Sequence, residues 1–365
     1  MIYLDHGATS MGKPPQVAAA MANAVAQCGN PGRGGHRPAM TAARTVYRAR
    51  ELAAKLFDCG EEQVVFTSSC THGLNLAIGS LFQPGARVLI SGFEHNAVTR
   101  PLAALGAKVI VAGRRLFDPE DTAAQFVDAL RQGVDGAVFT HASNVFGYRL
   151  PVEVLAGLCR EKGVPFVIDA AQSAGNTPIS LRKLGADFIA MPGHKGLLGP
   201  QGTGILLCNA PTKPLIYGGT GTQSRSAQMP QELPERLEAG TLNVPGIAGL
   251  GAGMAYVLSE GVERIGQREA HAARLCAQGL QSMGVRVFAG GHQGGTVSFV
   301  PECDCEELAQ RLGERGVAVR AGLHCAPLAH ESAGTLETGT VRLSFGHNAT
   351  ARQATEFLRI LKNVM

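Results

Sequence analysis

From residue 64 onward the chain alternates short apolar runs with stretches whose apolar residues recur every three or four positions. VVFT (64–67) precedes THGLNLAIGSLF, RVLIS (87–91) precedes HNAVTRPLAAL, and KVIVAG (108–113) precedes DPEDTAAQFVDALRQ. GAVFTHAS (136–143) leads to PVEVLAGLCREKG, and VPFVIDAA (164–171) and ADFIAMPG (186–193) follow. Strands that are apolar without alternation are covered on both faces, so the pattern predicts an α/β fold with a mostly parallel sheet between helices. In DTAAQFVDALRQ, Ala124, Phe126, Ala129 and Leu130 share the predicted buried stripe, behind a helix start at Asp118 and Pro119. In sheets of this kind functional groups gather at the carboxyl ends of the strands.

The pattern changes near residue 210. APTKPLIYGGTGTQSRSAQMPQELPE has no period and reads as ordered loop, and 246–283 reads as a long helical region. The tail carries shorter strands (VRVFAG, TVSFV, VAVRAG, TVRLSFG) among the helices CEELAQRLGERG and ARQATEFLRILKNVM. The expected division is a large domain over 15–245 and a smaller α+β domain formed by 246–365 together with 1–14.

Composition narrows the classes. Hydrophobic residues make up 45% of the 365 and charged residues 17%, which suits a well-buried enzyme. A net charge of +4, with no basic block and no Trp, argues against nucleic acid as a partner. Asp5 and His6 follow Met1 too soon for a signal peptide, and GIAGLGAGMAYVL is shorter than the ~18 residues of a membrane span. A cytoplasmic protein without a membrane partner is expected. Nine cysteines spread from Cys28 to Cys325 do not form a disulfide framework in such a chain. Cys303 and Cys305 lack the second pair that a zinc site needs, so no metal is expected.

Three strand-end loops carry candidate chemistry. In FVIDAAQS, Asp169 ends a buried run, where a carboxylate is either a helix cap or the acceptor for a protonated ring nitrogen. In MPGHKGLLGPQGTG, Lys195 lies 26 residues further on, beside His194 and between glycines, a setting that suits Schiff-base chemistry. In FTSSCTHGLN, a strand runs into a helix through Ser69 and Thr71, an ordinary cap if alone and a phosphate cradle in company. The Walker pattern is absent. Together these are the parts of a pyridoxal 5'-phosphate enzyme, in which lysine holds the aldehyde and aspartate keeps the ring nitrogen protonated. His95, in GFEHNAV at another strand end, could cover the ring face.

Taken in order, YLDHGATS, NPGRGGH, FTSSCTHGLNLA, EHNAV, SNVFG, IDAAQ, GHKGLLGPQGTG, EAGTLN, RAGLHCA and VRLSFGHNAT resemble the class V aminotransferases of fold type I. Within them the chain is similar to the cysteine desulfurase and selenocysteine lyase branch, from Tyr3 to Asn348. The resemblance implies that Lys195 holds the cofactor and moves the Cα proton. Asp169 would bond the pyridine nitrogen, Gln172 the phenolic oxygen, and His95 would stack on the ring. Thr71, the Cys70–Thr71 backbone and His194 would hold the phosphate, and Thr241 would reach the phosphate of the other subunit of a homodimer. Arg342 would clamp the substrate carboxylate bidentately, with Asn144 assisting and His36 as a further candidate.

Cys325 would take sulfur from L-cysteine and be left as a persulfide while L-alanine departs. Attack needs a thiolate, and His324 with other cationic groups is expected to favour it. Arg342 stands 17 positions after Cys325, a short connection like that of the group II, SUF-type enzymes. An acceptor protein for sulfur or selenium is expected to dock near this loop.

The chain departs from the family at His6 and Gly7, where Asn-Ala is usual, at Pro192 before GHK, and at Cys70 in the phosphate loop. The alternative reading is a selenocysteine lyase or a cysteine sulfinate desulfinase on the same fold. An aminotransferase of this class leaves Cys325 without a use, and a non-catalytic binding protein leaves Lys195 and Asp169 unexplained.

Overall fold

The computed structural model describes residues 1–32 and 34–365; Arg33, within NPGRGGH, lies outside them. Seven strands form the central sheet in the order Val64–Thr67, Gly204–Cys208, Phe188–Pro192, Phe166–Asp169, Gly136–Thr140, Arg87–Ser91 and Lys108–Ala112. The five from Phe188–Pro192 outward pair in parallel, and Gly204–Cys208 runs antiparallel to both its neighbours. The inner strands are buried from end to end, which is why they read as continuous apolar runs. Lys108–Ala112 lies at the edge, and its exposed Lys108 and Val109 fit that place.

The covering helices follow the sequence pattern with one instructive change. In Pro119–Arg131, Asp118 caps the first turn by accepting from the Asp121 amide at 2.9 Å. Phe126, Ala129 and Leu130 are buried as expected, but Ala124 is exposed and Thr122 takes the fourth inward position. Its hydroxyl is satisfied there by the Asp118 carbonyl at 2.9 Å and the Tyr148 hydroxyl at 3.1 Å. A stripe drawn from apolar residues alone cannot include such a threonine.

The long helical region is two helices, Val244–Glu260 and Val262–Ser282, separated at Gly261, whose φ of +87° few other residues adopt. The first packs on the helices Pro15–Gln27 and Arg37–Phe57, and its Val244, Ile247, Leu250 and Met254 belong to the core of the large unit. The sequence pattern alone places this helix beyond a boundary at 245, whereas its packing joins it to the large unit. The second packs on Ala351–Leu361 in the smaller core with Val297, Phe299 and Leu343.

The smaller unit has an antiparallel sheet in the order Arg320–Gly322, Thr340–Ser344, Thr296–Val300 and Arg286–Phe288. VAVRAG, expected as one strand, divides at Val319. Val317–Ala318 pairs in parallel with Ile2–Tyr3, and Arg320–Gly322 joins the four-stranded sheet. The amino-terminal segment thus belongs first to the smaller unit, with Leu4 in its core. It then crosses to the large unit, where the Ser10 amide donates to the His194 carbonyl at 3.0 Å and its hydroxyl to the Lys195 carbonyl at 2.6 Å.

Candidate active site

The carboxyl ends of the parallel strands converge as the sheet rule requires. Asp169 ends Phe166–Asp169 and is 2% exposed. Its Oδ1 accepts from the Ala171 amide at 2.8 Å and from the Cys70 thiol at 3.5 Å. Lys195 follows Phe188–Pro192 in a turn whose carbonyls are tied to Ser10 and Leu198. Burial, then the Arg342 charge, lowers the proton affinity of its amine, and Cys70 and Asp169 oppose the shift.

His95 stands after Arg87–Ser91 and caps the helix Asn96–Ala104, its Nδ1 accepting from the Ala97 amide at 2.9 Å. With Nδ1 as an acceptor, the neutral ring carries its proton on Nε2. Burial lowers its proton affinity against the pull of Asp169, so the neutral, flat form is favoured. Glu94, one residue earlier, accepts from the Ser91 hydroxyl and from the Thr140 amide at 2.9 Å. Burial pushes it up to about 8, so it is a neutral acid that ties two strand ends together.

The helix Cys70–Leu81 opens with its first amides toward the same place. The Ser69 hydroxyl accepts from the His72 amide at 3.1 Å and so serves as the ordinary cap. Among the described residues the amides of Cys70 and Thr71 have no backbone partner, which leaves them for an anion. His194 places Nδ1 at 3.0 Å from the Thr9 hydroxyl, and burial followed by Lys195 and Lys13 lowers it to about 4. Gln172 donates from Nε2 to the Gly7 carbonyl at 3.0 Å.

Cys70, Thr71, His95, Asn144, Asp169, Gln172, His194 and Lys195 line one cavity of about 110 Å³. These residues fit pyridoxal 5'-phosphate. Asp169 lines the cavity with an Oδ2 that accepts from no described residue, a helix start offers unpaired amides, and a neutral imidazole stands nearby.

Arg342 and Cys325 are not part of this lining; they come from the smaller unit and meet the large unit beside it, at Asn144 and Asn96. Arg342 is 2% exposed and donates from Nη1 to the Asn144 carbonyl at 3.0 Å and from Nη2 to Asp5 at 2.7 Å. Cys325 is an exposed thiol. Its carbonyl accepts from the Asn96 amide at 2.8 Å, and the His324 carbonyl accepts from Asn144 Nδ2 at 2.8 Å. His324 and Cys325 both have left-handed backbone, with φ of +51° and +56°. Thr241 and His36 are exposed and lie outside the lining of this cavity.

His324 departs from its expected part. It is buried with Nε2 on Thr340, and burial, followed by the charge of Arg342, lowers its pKa to about 2. It is therefore neutral and brings no positive charge to Cys325. Adjacency in sequence suggested activation; the side chain turns to hold the neighbouring strand. The sequence reading also missed Asp5, which pairs with both Arg342 and Arg320, the latter at 3.1 Å. An acidic residue closing the run IYL was the available signal.

The family model "Aminotransferase class-V" matches residues 2–357. A probable cysteine desulfurase of Pyrococcus abyssi is 31% identical over 381 residues, covering 100% of this chain and 94% of the relative. Another of Methanothermobacter thermautotrophicus is 32% identical over 377 residues, covering 96% and 92%. Among solved structures, the apo cysteine desulfurase from Thermococcus onnurineus NA1 aligns with a TM-score of 0.90 at 30% identity, over 99% of this chain and 94% of the other. The cysteine desulfurase CsdA (S-sulfonic acid) from Escherichia coli aligns at 0.85 with 26% identity, over 100% and 94%.

Proposed function

The chain belongs to the class-V aminotransferase family, and from that premise we propose that it is a pyridoxal 5'-phosphate enzyme removing sulfur from L-cysteine. The products are L-alanine and a persulfide on Cys325. The observation that carries the reading is the hold on two consecutive carbonyls, that of His324 by Asn144 and that of Cys325 by Asn96, beside a cavity that contains Lys195 and Asp169. The relatives' names as cysteine desulfurases agree with it.

When bound, the cofactor supplies an electron sink for the carbon skeleton of the substrate. Lys195 holds it, and its amine, with lowered proton affinity, moves the Cα proton. Asp169 would take the ring nitrogen, Gln172 the phenolic oxygen, and His95 would cover the ring. The Cys70 and Thr71 amides with His194 would hold its phosphate. Arg342 receives the substrate carboxylate at Asn144, which displaces or shares the hold of Asp5. Cys325 attacks the substrate sulfur as its Cβ–S bond breaks and an S–S bond forms. The electron pair stays with carbon, which takes up a proton and leaves as the methyl group of alanine. No external reductant is needed for this half of the cycle.

A second copy of the chain completes the site. Leu215, Ile216 and Tyr217 are exposed at 54%, 55% and 74%, in the segment leading to exposed Thr241. A partner over this apolar run lets Thr241 reach the partner's phosphate. An acceptor protein then takes the sulfur from Cys325, in a cytoplasmic setting that suits nine unpaired thiols.

The test is product analysis. Purified protein showing the absorbance of a lysine-bound cofactor, bleached by borohydride, is given L-cysteine, and alanine and released sulfur are measured. Wild type makes both; Cys325→Ala keeps the absorbance and loses sulfur release. Absence of alanine from cofactor-loaded wild type overturns the reading, as does equal turnover by Cys325→Ala. Sedimentation that finds only monomer removes the dimer.

A further inference from the structure

The function above has no use for the thiol of Cys70, only for its backbone amide. Yet this thiol is almost fully buried, lines the cavity, and lies 3.5 Å from Asp169 Oδ1. The placement follows from local structure. Cys70 is the first residue of the helix Cys70–Leu81, whose strand partner brings it over the end of Phe166–Asp169. Asp169 Oδ1 already accepts from the Ala171 amide at 2.8 Å, so the thiol is its second donor. Oδ2 accepts from no described residue, and it belongs to a carboxylate 2% exposed that lines the cavity. The two oxygens are therefore unequal: one is anchored, the other left for a ligand.

We propose that Cys70 is a positioning residue whose thiol, donating to Asp169 Oδ1, biases the proton shared between Asp169 and the cofactor's ring nitrogen toward the ring.

The physical argument is direct. A hydrogen bond to the charged form of a carboxylate favours that form, and in a dry site each donor counts for more than in water. An S–H group is a weak donor, so it biases the proton without fixing it. Burial and the neighbouring Asp169 hold the thiol's own pKa well above its usual range, which keeps the proton on sulfur available to donate. Without this donor, Asp169 competes better for the proton it shares with the ring, and the electron sink weakens. Cys70 acts through Asp169 and touches no reacting atom in this argument.

The inference rests on the cofactor reading, and two measurements separate the failures. In the cofactor-free protein, the infrared S–H band of Cys70 is isolated as the difference between wild type and Cys70→Ala. The band lies at the lower frequency of a thiol bonded to an anion, and Asp169→Asn moves it up. A band that ignores Asp169→Asn overturns the proposal. In the loaded protein, the nitrogen resonance of ring-15N pyridoxal phosphate is compared among wild type, Cys70→Ala and Cys70→Ser. Cys70→Ala moves it toward neutral pyridine, and Cys70→Ser, which keeps a donor, stays with wild type or moves the opposite way. Superimposed resonances for wild type and Cys70→Ala overturn the proposal alone. Protein that takes up no cofactor overturns the functional reading and the proposal with it.

Discussion

The amide of Asn96 donates to the carbonyl of Cys325 at 2.8 Å, joining the residue after His95 to the exposed thiol of the smaller unit. On the other flank, Asn144 Nδ2 holds the His324 carbonyl at the same distance. Between these ties two consecutive residues keep left-handed backbone, each at a cost of ~1–2 kcal/mol for a residue with a Cβ. The loop is held in a conformation it would not choose alone, and large-unit groups do the holding.

Replacing Cys325 with glycine removes the Cβ that makes this backbone costly. Cys325→Gly is therefore expected to raise stability by about 1 kcal/mol in denaturant unfolding while abolishing sulfur release. Destabilisation of the variant would show that the left-handed geometry is not strained.

Asp5 is the counter-ion of a guanidinium that is 2% exposed. Asp5→Asn leaves Arg342 buried with no full negative charge beside it, at a cost on the order of 3 kcal/mol. A substrate-like carboxylate can then supply the missing charge. Saturating L-alanine is expected to raise the melting temperature of cofactor-loaded Asp5→Asn more than that of wild type. Equal increments would mean that Asp5 and the ligand do not share Arg342.

Acid and base act on this protein in opposite senses. Burial leads the lowering of His6, His141, His194 and His330 to about 4 and of His324 to about 2, from an ordinary 6.5. The unfolded chain binds these protons first, so stability is whole above pH 6.5 and declines as pH falls. Glu94 and Glu269 are pushed up to about 8, mainly by burial, from an ordinary 4.5. The folded protein keeps these protons longer, so that contribution is whole below pH 4.5 and declines as pH rises through 8. Five histidines outweigh two glutamates below 6.5, and the glutamates dominate between 6.5 and 8. Urea titrations of the cofactor-free protein at about pH 5, 6.5 and 8 should find maximum stability at the middle value. A midpoint that climbs through to the last would contradict this balance.

His6 and Gly346 form a matched pair. The His6 ring is buried edge-on against Tyr3 at 4.9 Å, and a Cβ on Gly346 would stand 2.2 Å from its Nδ1. Gly346→Ala is expected to cost about 2–3 kcal/mol through overpacking. In the double variant with His6→Ala the total should fall at least ~1 kcal/mol short of the sum of the single changes. Additivity in urea unfolding would show that the two residues do not meet.

The central sheet was legible because Val167–Ile168 and their counterparts are apolar on both faces, and only buried parallel strands need that. Lys195 and Asp169 were legible as partners because Asp169 ends such a strand and Lys195 follows the end of its neighbour, and neighbouring parallel strands put their ends together. Asp5 and Arg342 are 337 residues apart, and no local pattern links them. His324 misled for the converse reason. Neighbours in sequence point apart on this backbone, and burial against Thr340 decides the charge of the ring. The break at Val319 was hidden because VAVRAG keeps one polarity pattern while serving two sheets.

The amino-terminal segment has a mechanical consequence. Tyr3 is zipped to the strand that leads toward Cys325, and seven residues later Ser10 grips the carbonyl of Lys195, with Lys13 bracing the same turn at the His194 carbonyl. A span this short has almost no slack. Cys325 and Lys195 ride on one lever, and any tilt of the smaller sheet reaches both at once.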